Sequence, residues 1–71
     1  MNNRAKFNPA VGDEYINEGN GIIYRCIECL DEPGTAILQS TESGWTFKAH
    51  GLGMYSDGMI DWDFSTGGRF A

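Results

Sequence analysis

The chain predicts an all-β fold, a small antiparallel SH3-like barrel of about five or six strands. Three observations predict it. Turn-forming clusters punctuate the sequence at Glu18–Gly21 (EGNG), Asp31–Gly34 (DEPG), Thr41–Gly44 (TESG), Gly51–Gly53 (GLG), Asp57–Gly58 (DG) and Ser65–Gly68 (STGG). Their spacing is close to the roughly 8–12-residue rhythm of small β proteins. The segments between them are rich in β-branched and aromatic residues, which fit a pleated surface. Several segments also alternate apolar with polar residues, so one face of each strand is greasy and the other wet.

At 71 residues the chain makes one domain, and a chain this short buries roughly 60% of the surface its unfolded form exposes. The core must therefore come from large side chains, each buried aromatic removing about 150–250 Å² from water. Residues 1–9 read as a flexible N-terminal tail that Phe7 pins to the core, and residues 10–71 as a single small β-barrel domain. After the Glu18–Gly21 turn comes GIIYRCIECLDE, Gly21 to Glu32. As a strand it places Tyr24 and Cys26 on one face and Ile23 and Ile27 on the other, as suits a central strand covered on both sides. Its periodicity also permits a helix over about 21–31, an α+β alternative, because Ile22, Ile23, Cys26, Ile27 and Leu30 then share a flank. Composition opposes the helix, since isoleucine, cysteine and tyrosine are mediocre helix formers. Asp31 and Glu32 would also lie at the negative end of the helix dipole.

Two hairpins follow. A four-residue loop at Thr41–Gly44 sets Ser40 opposite Trp45 and Leu38 opposite Phe47. Trp45, Phe47 and Ala49 then face one way, and Thr46, Lys48 and His50 the other. Asp57-Gly58 suits a two-residue type I′ turn, whose central positions need positive φ. That register sets Tyr55 opposite Ile60, places Ile60, Trp62 and Phe64 on one stripe with Tyr55, and sends Asp61 and Asp63 to the other with Met54 and Met59. The expected core is Ile16, Tyr24, Cys26, Ile37, Leu38, Trp45, Phe47, Ile60, Trp62 and Phe64.

The net charge is −5, and between Asp13 and Asp63 ten acids face only Arg25 and Lys48. A surface of that sign repels phosphate, which argues against direct nucleic-acid binding and against docking on an anionic membrane. The expected partner is a basic protein surface. No apolar run follows the first charged residues, and no segment is long enough to span a bilayer. A cytoplasmic location with reduced thiols is the expectation.

The candidate chemistry is thin. Cys26-Ile27-Glu28-Cys29 has redox or zinc spacing, yet no strand–loop–helix context surrounds it. Along a regular strand its sulfurs fall on opposite faces, so two core thiols are the expected reading. His50 is the sole imidazole, on the solvent face, with no legible nucleophile or orienting acid. Asp61 and Asp63 lie about 6.6 Å apart as i, i+2 strand neighbours, without the cleft or the raised pKa that acid–base catalysis needs. EGNG lacks the lysine and helix of a phosphate-binding loop. No enzymatic activity, metal or cofactor is expected.

Two resemblances add to this reading. Gly12, Asp13, Gly21 and Tyr24, within VGDEYINEGNGIIYR (Val11 to Arg25), resemble the hairpin of small chitin-binding modules, which implies sugar stacking on a nearby aromatic such as Trp45. The acidic chain as a whole is similar in style to small uncharacterised proteins of bacteriophages and mobile elements. That likeness implies an inhibitor offering acids to the groove of a host nucleic-acid-binding enzyme. The expected function is accordingly a non-enzymatic binding module, with Asp57, Asp61, Asp63, Glu14, Glu28 and Glu42 making charge-assisted contacts to a basic protein. The alternative is carbohydrate binding through Trp45, Tyr24 or Trp62.

Overall fold

A computed structural model describes residues 4–70 of the chain. They form β1 (Arg4–Lys6), β2 (Glu14–Ile16), β3 (Ile23–Cys29), β4 (Thr35–Ser40), β5 (Trp45–His50), β6 (Gly53–Tyr55), β7 (Ile60–Asp61) and β8 (Phe64–Phe70). Antiparallel pairing sorts the strands into a five-stranded sheet, β2-β3-β4-β5-β8, and a three-stranded sheet, β1-β6-β7. The fold is thus all-β, and the segment whose periodicity allowed a helix is strand β3. No closed barrel forms among the described strands, because β2 and β8 both stay at the margins of their sheet. Of the expected tail, Met1–Asn3 lies outside the described residues, whereas Arg4–Lys6 pairs with β6.

Alternation builds the large sheet. Tyr24 and Cys26 on β3, Ala36 and Leu38 on β4, and Phe47 and Ala49 on β5 point to one side and are buried there with Leu52 and Ile60. Leu38, Leu52, Ile60 and Cys26 are the largest wholly buried side chains. Each such leucine or isoleucine contributes about 1.5–3 kcal/mol by leaving water. Phe7, Tyr15, Ile22, Met54 and Trp62 pack against this cluster. The Trp62 ring stands edge-on to Tyr24 with centroids 5.1 Å apart and lies 5.2 Å from Phe47. An isolated parallel bridge between Asn17 and Ile60 joins the two sheets.

The Thr41–Gly44 loop has the expected length and register, with Leu38 opposite Phe47 and Gly44 N donating to Ser40 O. The following hairpin differs by one residue. Met54 rather than Tyr55 faces Ile60, and Gly58 N donates to Tyr55 O across a three-residue loop. Gly58 takes φ +89° while Asp57 keeps a negative φ. A turn that asks only its last residue for the left-handed region costs less than a type I′ turn, which would force a non-glycine there too. The shift puts Met54 on the core and turns Tyr55 toward Asp61.

Four expected core residues lie elsewhere. Ile16, 40% exposed, meets Ile23 on the outer face, and Tyr15 takes the inward place opposite Tyr24. Ile37 is half-buried on that same outer face beside Lys48. Trp45 keeps the inward parity of Phe47 but starts its strand beyond the end of the core, leaving it 39% exposed. Phe64 is 57% exposed. The chain leaves strand conformation at Trp62 and Asp63, so the alternation restarts, and Phe64 pairs with His50 on the outer face. Their rings stack at 4.4 Å and 6°.

Two bulges complete the large sheet. Ile27 is an extra residue in β3 between the pairs Cys26–Leu38 and Glu28–Ile37. In β8, Gly67 and Gly68 together oppose Phe47, between the pairs Thr46–Arg69 and Lys48–Thr66. Ser65–Gly68, which reads as a turn in the sequence, is therefore a bulged strand, with Gly67 at φ +65°. The Trp45 indole covers Gly68 so closely that an added Cβ would collide with the ring.

Candidate functional site

Three loops carry exposed acids, and the first lies beside each of the other two. The β2–β3 loop carries Glu18, the β4–β5 loop Glu42 and the β6–β7 loop Asp57, all three exposed. Hydrogen bonds tie the second loop to the start of β3 and the first loop to the start of β7. Thr41 donates from its N and its Oγ1 to Ile23 O, at 3.0 and 2.8 Å, and Glu18 N donates to Ile60 O at 2.8 Å.

Each loop satisfies its own backbone through a polar side chain, as Asx and Ser turns do. Buried Asn17 accepts at Oδ1 from Gly19 N and Asn20 N, at 2.8 and 3.0 Å. Asn20 in turn donates from Nδ2 to Tyr24 Oη at 3.1 Å. Ser40 Oγ accepts from Glu42 N and Ser43 N, both at 3.2 Å. Asp57 Oδ1 accepts from Met59 N at 2.9 Å. The loop backbones are thereby held in shape. Glu18 was missed in the sequence because EGNG there reads only as a turn; its hydrogen bond to Ile60, far along the chain, places it here.

Asp61 and Asp63 play a different part. Arg4 Nη1 donates to Asp61 Oδ1, and Arg4 Nη2 donates to Asp63 Oδ1 at 2.5 Å. Tyr55 Oη donates to the second oxygen of Asp61 at 2.6 Å. The pair clasps β1 to the far side of its own sheet, at β7 and the residues after it, so its negative charge is partly answered within the chain. That hydrogen bond to the Asp61 carboxylate, with desolvation second, holds the Tyr55 proton above the usual phenol range, and Arg4 only partly opposes it. Desolvation pulls the Arg4 guanidinium down, and its two carboxylates together outweigh that and raise it.

The other expected contacts scatter. Glu14 accepts from Arg25 Nε and Nη2, at 3.1 and 2.6 Å, on the outer face of the large sheet. Glu28 lines a shallow groove on that face with Ile27, Ile37, Lys48 and Arg69. Of the three aromatics, Tyr24 is only 7% exposed and offers no stacking platform, Trp62 is half-buried between Tyr24 and Phe47, and Trp45 is 39% exposed with its ring lying on Gly68. His50 Nε2 lies 2.9 Å from Thr66 Oγ1. Among the described residues no three His, Cys, Asp or Glu side chains gather to hold a metal ion.

Cys26 is buried and Cys29 exposed. The bulge at Ile27 overturns the expectation that their sulfurs lie on opposite faces: Cys26 faces Leu38 and Cys29 faces Ala36, both on the inner side. Burial, with the neighbouring Cys29 thiol second, pushes the Cys26 thiol up to about 11.

No protein-family model, curated protein or solved structure matches the chain.

Proposed function

We propose that this protein is a non-enzymatic binding module that grips a basic protein surface through its acidic loop end. We take the fold as an opened form of a small SH3-like barrel, two sheets around one core, that holds the loops in place. The observation that carries the reading is the placement of Glu18, Glu42 and Asp57 on three adjoining, internally braced loops. Braced loop backbones lose little freedom on binding, so less of the charge-assisted contact to lysine or arginine is spent on ordering the loops. Glu28 would extend such a contact only toward the outer face, and Glu14, Asp61 and Asp63 contribute less because an arginine of the chain already answers them. A partner that normally holds nucleic acid, with cations set for phosphates, fits this surface by charge, and the resemblance to small phage and mobile-element proteins extends the reading to an inhibitor of such an enzyme.

The test is capture of proteins from a cell lysate on the immobilised chain across a salt series, beside the variant E18Q/E42Q/D57N. Capture that fades steeply with salt and is lost in the variant supports the reading. Capture that survives both refutes it. The exposed face of Trp45 favours a second reading, carbohydrate binding, which retention on insoluble chitin, unchanged by salt and lost in Trp45→Ala, would support.

A further inference from the structure

We propose that Cys26 and Cys29 are a redox pair that closes to an intramolecular disulfide. The bulge makes this possible. On a regular strand, residues three apart face opposite ways, but the extra residue Ile27 restores both cysteines to one face, opposite Leu38 and Ala36. Those partners are two residues apart on β4, about 6.6 Å along a strand, so the cysteines facing them are held to a similar separation. That is at the upper end of the roughly 4.4–6.8 Å between Cα atoms that a disulfide spans, so the end of β3 must draw in to bring the Cβ atoms to about 3.5–4.5 Å when the bond closes. The Cys29 thiol is near enough to help raise the Cys26 thiol, and the Cys29 sulfur is further placed by donating to Pro9 O at 2.9 Å.

The pair is also divided by access. Cys29 is exposed and Cys26 wholly buried, so Cys29 meets the oxidant and Cys26 resolves. With a low-molecular-weight disulfide as oxidant, the Cys29 thiolate attacks one sulfur, forms a mixed disulfide and releases the other half as a thiolate. Cys26 then gives up its proton and attacks the Cys29 sulfur, forming the internal bond and expelling the second half as a thiolate. Two protein thiols are oxidised and one small disulfide is reduced to two thiols. Because burial keeps the Cys26 thiol protonated up to about 11, the second step is slow near neutrality and quickens as pH rises. The fold thereby contains a slow sensor of disulfide stress at the bulge.

The experiment incubates the full chain, folded, with oxidised glutathione and follows its intact mass. The wild type is expected to pass through a glutathione adduct and end two hydrogens lighter, faster at pH 9 than at pH 7. Cys26→Ala is expected to stop at the adduct, and Cys29→Ser to stay unmodified. A wild type that remains unmodified, or that keeps its glutathione group without losing two hydrogens, overturns the proposal. So does a Cys29→Ser variant that reacts as fast as the wild type. The wild-type mass alone decides the matter, so a Cys26 variant that fails to fold leaves the test intact.

Discussion

The two sheets of this molecule are held together in different ways. The five-stranded sheet is long and glued by burial: its central strand β4 alternates side chains between core and surface, with Leu38 wholly enclosed. The three-stranded sheet is built from segments of two or three residues, too short to specify themselves by alternation. It shares the core through Ile60 and Met54, with Leu52 just before β6, and is fastened besides by polar contacts among Arg4, Asp61, Asp63 and Tyr55. Burial is cooperative and costly to undo. A partly exposed ion pair is neither, being worth about 0–1 kcal/mol.

That contrast can be broken or sharpened by mutation. The largest expected effect is Leu38→Ala, which removes a wholly buried side chain from the centre of the large sheet and should cost about 2–5 kcal/mol. Urea unfolding would show it as a lower midpoint at unchanged slope. A loss below 1 kcal/mol would mean that the central strand is not where stability lies. Next is Gly68→Val, whose side chain meets the Trp45 ring; the indole must swing off β8, at a cost of about 1–3 kcal/mol and with a red-shifted tryptophan emission. Arg4→Met is expected to cost about 1 kcal/mol or less overall. Hydrogen exchange should nevertheless quicken selectively in β1 and β6, and an equal effect in β4 would erase the distinction between the sheets.

The last effect is alkaline. Tyr55 in the small sheet and Cys26 in the large one both hold their protons more tightly when folded than when unfolded. Their contribution is complete below the unfolded pKa and is lost as pH rises through the folded one. For Cys26 that window runs from about pH 9 to about 11. Stability measured across it should fall, and Cys26→Ala should flatten the slope there, whereas Tyr55→Phe acts only on the share belonging to the small sheet.

The same contrast decides what was legible in the sequence. Where alternation is sustained, as in the Leu38–Phe47 hairpin, parity and loop length could be read directly. Where a single residue is inserted or the chain bends, parity resets, and every reading downstream inverts. That happened at Ile27, which brought two sulfurs to one side, and at Trp62–Asp63, which turned Phe64 outward. It happened again in the loop before Met59, where one extra residue exchanged Met54 for Tyr55. Asp61 and Asp63 were legible as a surface stripe but not as the grip of Arg4, because an arginine so distant in sequence leaves no local pattern. Glu18 was hidden for the same reason, its neighbours at the loop end being set by pairings across the chain.

The margin formed by β8 has a consequence of its own. Along seven residues a row of backbone donors and acceptors lies at the rim, where a stray extended chain could dock and seed stacking into fibres. The paired glycines spoil the fit: their kink twists the rim out of line, so a visitor that matches one half misses the other. Selection against clumping is thus a sufficient reason for a weak-looking Gly-Gly step in the middle of an outermost strand, independent of anything the protein binds.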